Sequence, residues 1–132
     1  MLIPACPSNW PNFQRNCYKL FNTPLAWADA QTHCQQENSQ LASILSEEEH
    51  QFIVNKFVRD EYIWVGGHDM DVEGQWIWTD GSNWNYTRWN AGQPDNAGGK
   101  EHCLNLFKSG RDGNFNDYPC TKKIKFLCKI TY

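Results

Sequence analysis

Six cysteines in a chain of 132 residues limit its possible folds more than any other feature. They stand at Cys6, Cys17, Cys34, Cys103, Cys120 and Cys128. No two have the CxxC spacing of a zinc site, although His33 precedes Cys34 and His102 precedes Cys103. An even count without metal-ligand spacing favours three disulfides and an oxidising, extracellular compartment. Six cysteines allow fifteen pairings, and spacing alone does not choose among them. Mean hydropathy is -0.71, yet 14% of the residues are aromatic, seven of them Trp. Polar segments punctuated by large rings suit a loop-rich fold around a compact aromatic core and argue against disorder. The length is that of one domain, and residues 5–132 are read as a single one.

Charge and motifs narrow the function classes. The net charge is -3, and the only basic grouping, Lys122, Lys123 and Lys125, is too small to neutralise a run of phosphates. No apolar run reaches membrane-spanning length, so neither nucleic acid nor membrane insertion is expected. The opening Met1-Leu2-Ile3-Pro4-Ala5 is too short for a signal peptide and is expected to be a processed start. There is no Gly-x-Ser-x-Gly elbow, no P-loop and no HExxH, so binding without turnover is expected.

Local patterns give a coarse order of elements. The stretch from Cys6 to Cys17 reads as a hairpin-like opening, followed by a strand over Tyr18–Phe21. Thr23-Pro24 reads as an N-cap and first helical position, with Trp27, Ala30 and Cys34 on one face of a helix reaching Gln36. Leu41–Ile44 is a short apolar strand. Ser46 with Glu49 fits a capping box opening a second helix, whose buried stripe is Ile53, Val54 and Phe57. Tyr62–Val65, Gln75–Trp78, Cys103–Phe107 and Ile124–Ile130 read as strands. Residues 79–102 are rich in Gly, Asn and Asp, and so long an irregular segment is usually functional or disordered. Trp84, Tyr86, Trp89 and Pro94 argue that this one is ordered, with the two tryptophans in the core.

The set of motifs resembles the C-type lectin domain family. Trp64-Val65-Gly66-Gly67 is similar to the family's core WIGL motif. Trp78-Thr79-Asp80-Gly81, Gln93-Pro94-Asp95 and Asn116-Asp117 follow in family order, and the resemblance runs from about Cys6 to Lys129. It implies an α+β fold: two helices packed on antiparallel strands with a long irregular calcium-binding loop region. It also implies the pairing Cys6–Cys17, Cys34–Cys128 and Cys103–Cys120.

The resemblance further implies a Ca2+ site built from Gln93, Asp95, Glu101, Asn116 and Asp117, with Pro94 in the cis form. Calcium takes 6–8 oxygen ligands, and these five side chains leave positions for two neighbouring sugar hydroxyls. The same five residues are therefore the expected carbohydrate contacts. Family members with Gln-Pro-Asp generally prefer galactose, which implies glycans ending in galactose or N-acetylgalactosamine. Two positions depart from the family. Ala97 stands where galactose binders often carry a stacking Trp, and Phe115 replaces the Trp before Asn116. The first predicts weak single sites. Linking weak sites raises avidity by about 10²–10⁴, which suits a homo-oligomer. An accessory calcium site at Asp69, Glu73 and a shared Glu101 is weakened by Asn96 and His102, which replace family acids. Asn85-Tyr86-Thr87 is a glycosylation sequon. Two other uses of such a scaffold are an ice-binding protein of the type II antifreeze kind and a protein-binding domain.

Overall fold

The computed structural model describes residues 5–108 and 112–132; the reading of Met1–Pro4 as part of a processed start lies outside them. In chain order the elements are β1 (Asn12–Phe13), β2 (Asn16–Leu25), α1 (Trp27–Gln36), β3 (Gln40–Leu41), α2 (Glu47–Phe57), β4 (Ile63–His68), β5 (Ile77–Trp78), β6 (Cys103–Leu106), β7 (Phe115–Tyr118) and β8 (Ile124–Thr131). One sheet contains all the strands among the described residues. Its order is β1-β2-β8-β4-β6-β7, with β3 added to β8 and β5 to β4. Every pairing is antiparallel except β4 with β8.

The two ends of the chain are stitched together. β2 and β8 pair from Asn16 with Thr131 as far as Leu25 with Ile124. This pairing corrects the expected start of the first helix. Thr23 and Pro24 remain in β2, where the register with β8 shifts between Phe21 and Leu25. A proline is tolerated at such an irregularity because no ladder hydrogen bond is required of it. Helix α1 begins at Trp27 behind Ala26, which has no capping side chain. The Trp27 backbone N–H instead donates to the Cys120 carbonyl at 3.0 Å, and its indole N–H donates to the Val65 carbonyl at 2.8 Å. Tertiary hydrogen bonds thus do what a local cap would have done.

Helix α2 starts where its sequence indicates. Ser46 Oγ accepts from the Glu49 N–H at 3.1 Å. The return half of the box is displaced by one residue: Glu49 Oε1 accepts from the Leu45 N–H at 2.8 Å. Its other oxygen is buried, where it meets Lys129 Nζ at 2.6 Å and the Tyr18 hydroxyl. Lys129 also donates to Ser43, at 3.1 Å to the carbonyl and 3.0 Å to the hydroxyl. A buried charge pair so fully hydrogen-bonded joins β8, α2 and the 41–44 segment.

The three disulfides are those the resemblance implies: Cys6–Cys17, Cys34–Cys128 and Cys103–Cys120. The second ties α1 to β8, and the third ties β6 to the segment after β7. Gly66 and Gly67 show why the core motif ends in two glycines. A Cβ on Gly66 would lie 2.6 Å from the Leu41 carbonyl oxygen, and one on Gly67 would lie 2.7 Å from Leu104 Cδ2. Only a residue without a side chain lets β4 pass between these neighbours.

The irregular segment between β5 and β6 has few ladders and is held by rings. Trp84 lies 4.5 Å from Trp78 and 6.2 Å from Trp76, measured between ring centroids, and Trp89 lies 5.1 Å from Trp76. Trp84 and Trp89 are therefore packed against the core, as expected. The Tyr86 hydroxyl donates to Glu47 at 2.9 Å, and Arg88 pairs with the same carboxylate at 2.8 Å. The Phe115 N–H donates to the Arg88 carbonyl and the Asn90 N–H to the Phe115 carbonyl, which lays residues 88–90 along β7.

Candidate functional site

The loop leaving β7's flank makes one sharp reversal, and the Gln93–Pro94 peptide there is cis. The secondary-amide alternative would cost several kcal/mol more, so a proline is what makes this geometry accessible. Asn96 follows in the left-handed region at φ 45°, which a short polar side chain tolerates. The turn is closed by side chains. Asp117, on β7, accepts from the Asp95 N–H at 3.1 Å and from the Asn96 N–H at 2.6 Å. The Ala97 N–H faces Asp95 Oδ1 and Glu101 Oε1, both at 3.2 Å, and Asn96 Oδ1 accepts from the Glu101 N–H at 2.9 Å.

These bonds bring Asp95, Glu101 and Asp117 together, with one carboxylate oxygen of each within 4.8 Å of the others. The cost of that approach is visible in their acidities. Loss of solvent, then the hydrogen bond with Asp95, pushes Glu101 up to about 7. The same hydrogen bond holds Asp95 below its ordinary range, and burial raises Asp117. A cation bound here would favour the ionised form of Glu101 and displace its proton.

The two amides are placed differently. Gln93 Oε1 is buried and has no hydrogen-bond partner, while its Nε2 lies 3.5 Å from Asp95 Oδ2. A buried acceptor without a donor, beside three clustered acids, has the character of a cation ligand. Asn116 precedes Asp117 on β7 and donates through Nδ2 to Asn105 Oδ1 at 3.0 Å, so its carbonyl oxygen is the atom left for a ligand. Asn105, fully buried on β6 and paired opposite Asn116, was missed in the sequence. Its polar character inside the apolar run Cys103–Leu106 is the signal that was there to find.

The accessory acids have other partners. Asp69 Oδ2 accepts from the Gly74 N–H at 2.9 Å, and Oδ1 meets His102 Nδ1 at 3.1 Å. Glu73 Oε1 lies 3.2 Å from the same nitrogen and accepts from Asn96 Nδ2 at 3.0 Å. Asn96 thus presents a donor to this group and spends its oxygen on Glu101. Ala97 is exposed, as are Asn85 and Thr87 of the sequon.

Comparison with known proteins places this geometry. Residues 23–130 match the Lectin C-type domain. Perlucin of Haliotis laevigata is 36% identical over 95% of this chain and 83% of its own length. The C-type carbohydrate-recognition domain of cow CD23, solved in the presence of a GlcNAc2Man3 oligosaccharide, superposes with a TM-score of 0.90 at 30% identity over 97% of both chains. The chain belongs to the C-type lectin domain family. Another neighbour, a calcium-independent type II antifreeze protein, has a TM-score of 0.89 at 28% identity, covering 96% of this chain and 95% of its own. C-type lectin domains are in general binding proteins rather than enzymes. No helix among the described residues is long and apolar enough to cross a membrane.

Proposed function

We propose that this C-type lectin domain binds glycans ending in galactose or N-acetylgalactosamine through a Ca2+ held by Gln93, Asp95, Glu101, Asn116 and Asp117. The observation that carries the reading is Gln93 Oε1, buried and unpartnered, in the turn that brings three carboxylates together. The donor set suits a hard cation: three carboxylates and two amide oxygens, with a formal charge of about -3 against +2. Bound calcium would supply the positive charge and the open coordination positions that two neighbouring sugar hydroxyls fill.

The side chains do the rest. The Asp95 and Glu101 carboxylates can accept a hydrogen bond from a sugar hydroxyl, and the Gln93 NH2, which faces Asp95 through one hydrogen, has a second to donate. Asn116 is the lesser donor because Asn105 already engages its nitrogen. The galactose preference rests on the order amide–Pro–acid at 93–95. Ala97 offers no ring to the sugar's apolar face, which supports weak single sites and function as a secreted homo-oligomer.

A glycan array run with and without chelator tests this reading. Galactose-terminated glycans should bind only with calcium. The double exchange Gln93→Glu with Asp95→Asn keeps the ligand charge and reverses the hydrogen-bond pattern. Preference should move toward mannose while calcium affinity changes little. If both forms bind the same sugars equally, selectivity lies elsewhere in the loop. The antifreeze neighbour motivates a second reading, ice binding. Thermal hysteresis in the presence of chelator, with no glycan bound, would favour it.

A further inference from the structure

A second cluster lies beside the first and shares no ligand with it: Asp69 after β4, Glu73 in the β4–β5 turn, and His102 before β6. We propose that these three side chains form a site for a borderline transition metal of the Zn2+ class, not for calcium. The inference is independent of the lectin reading.

The donor chemistry comes first. Calcium takes 6–8 oxygens, and here only two carboxylates are offered. Asn96, which also reaches the cluster, points its NH2 at Glu73 and its oxygen at the Glu101 N–H, so no third oxygen comes from it. The third group is an imidazole, a ligand that suits zinc, copper and nickel. Two carboxylates and a neutral imidazole balance a divalent ion.

Geometry agrees with that choice. His102 Nδ1 faces Asp69 Oδ1 at 3.1 Å and Glu73 Oε1 at 3.2 Å. A neutral imidazole has at most one hydrogen on that nitrogen, so it cannot donate fully to both oxygens. With zinc–nitrogen and zinc–oxygen bonds of 2.0–2.2 Å, neighbouring ligand atoms of a tetrahedron lie about 3.3–3.5 Å apart. The two nitrogen–oxygen separations lie just inside that spacing, and all three ligand atoms lie within 4.8 Å of one another.

The outer contacts hold the ligands in place. Asp69 is 2% exposed, and its second oxygen is fixed by the Gly74 N–H at 2.9 Å. Its own N–H donates to the His102 carbonyl at 3.0 Å, which locks the two ligand backbones together across the β4–β6 edge. Such contacts to the remaining atoms of metal ligands are what tune affinity in known sites. The Glu73 side chain is 55% exposed, so the ion has an entry path and a position left for water or a partner's ligand.

The test uses the whole chain in millimolar calcium, titrated with Zn2+ by calorimetry and with Co2+ by visible absorption. One equivalent of Zn2+ should bind, and Co2+ should give the intense bands of low coordination. His102→Ala and Glu73→Gln should each weaken Zn2+ binding more than tenfold while leaving the circular dichroism spectrum of the metal-free chain unchanged, which shows that the variants are folded. His33→Ala removes another His–carboxylate pair, at 3.9 Å from Glu37, and should leave Zn2+ binding unchanged. Zinc uptake lost in His33→Ala but kept in His102→Ala would overturn the proposal. So would no uptake by the unaltered chain, or full displacement of zinc by millimolar calcium.

Discussion

Protons and calcium should compete at Glu101. In the calcium-free protein this carboxyl is pushed up to about 7, by loss of solvent first and by Asp95 second. A calcium ligand has to be ionised. At pH 7.5 most of the population meets that condition; at pH 5.5 only a few per cent does. Calcium affinity should therefore fall on the order of 20-fold between these two values, with about one proton released per ion at pH 5.5 and only about a quarter of one at pH 7.5. Burial raises Asp117 as well, which steepens the acid side, while the depressed Asp95 contributes nothing until lower pH. Stability of the calcium-free protein should move the other way. Between the ordinary value of 4.5 and about 7, folded Glu101 keeps a proton that the unfolded chain has lost. That group therefore makes the calcium-free fold less stable as pH rises through this window. Calcium at 100 times its dissociation constant should restore about 2.7 kcal/mol at pH 7.5. For a chain of this size that is a melting shift of roughly 10 °C. Calorimetry in two buffers of different ionisation heat measures the affinity and the proton count together. Equal affinity at pH 5.5 and 7.5 with no proton release would refute the argument. Glu101→Gln should bind calcium more weakly and lose most of the pH dependence.

Three further outcomes are expected. Lys129→Met leaves Glu49 charged and buried without its 2.6 Å partner, and should cost about 3–5 kcal/mol in chemical denaturation, with sugar and calcium sites otherwise intact. Non-reducing peptide mapping should join Cys34 to Cys128, and removing that bond, which spans 94 residues, should cost roughly 4–5 kcal/mol by the chain-entropy argument. Asn85 and Thr87 are exposed while Trp84 and Tyr86 turn inward, so material made in a eukaryotic secretory pathway should carry a glycosidase-sensitive glycan that Asn85→Gln abolishes.

The fold was legible where local chemistry and tertiary packing agree. Ser46, three glutamates and the Ile53–Phe57 stripe produce α2 with the expected first residue. Where they disagree, packing wins. Thr23-Pro24 carries a helix-start signal, but β8 captures the backbone as far as Leu25. The apolar run Leu41–Ile44 reads as a four-residue strand, yet β3 is only Gln40–Leu41, because the Ala42 N–H and carbonyl are drawn to Leu127 and Gly66. Phe115–Tyr118 has too short and mixed a pattern to announce β7, and it becomes a strand through its ladder with β6. Pairing partners distant in sequence leave no local mark.

The candidate site divides along the same line. Gln93, Pro94 and Asp95 are contiguous, so their cooperation is written in the chain itself. Asp117 is 22 residues from Asp95, and only the ladder β6–β7 carries it beneath the turn. There its carboxylate serves as the hydrogen-bond acceptor of two loop amides. This double duty has a consequence for how the loop is organised. An irregular loop has no backbone ladder to keep its shape, and here the acids that would hold the ion also hold the backbone. The turn is therefore shaped before an ion arrives, and the packed rings of Trp76, Trp78, Trp84 and Trp89 fix the base it stands on. The cost is lost solvent first and neighbouring carboxyls second, which together push Glu101 up to about 7. A cation offsets that cost without having to build the loop, and this is why proton release, more than any change of shape, is the expected signature of its binding.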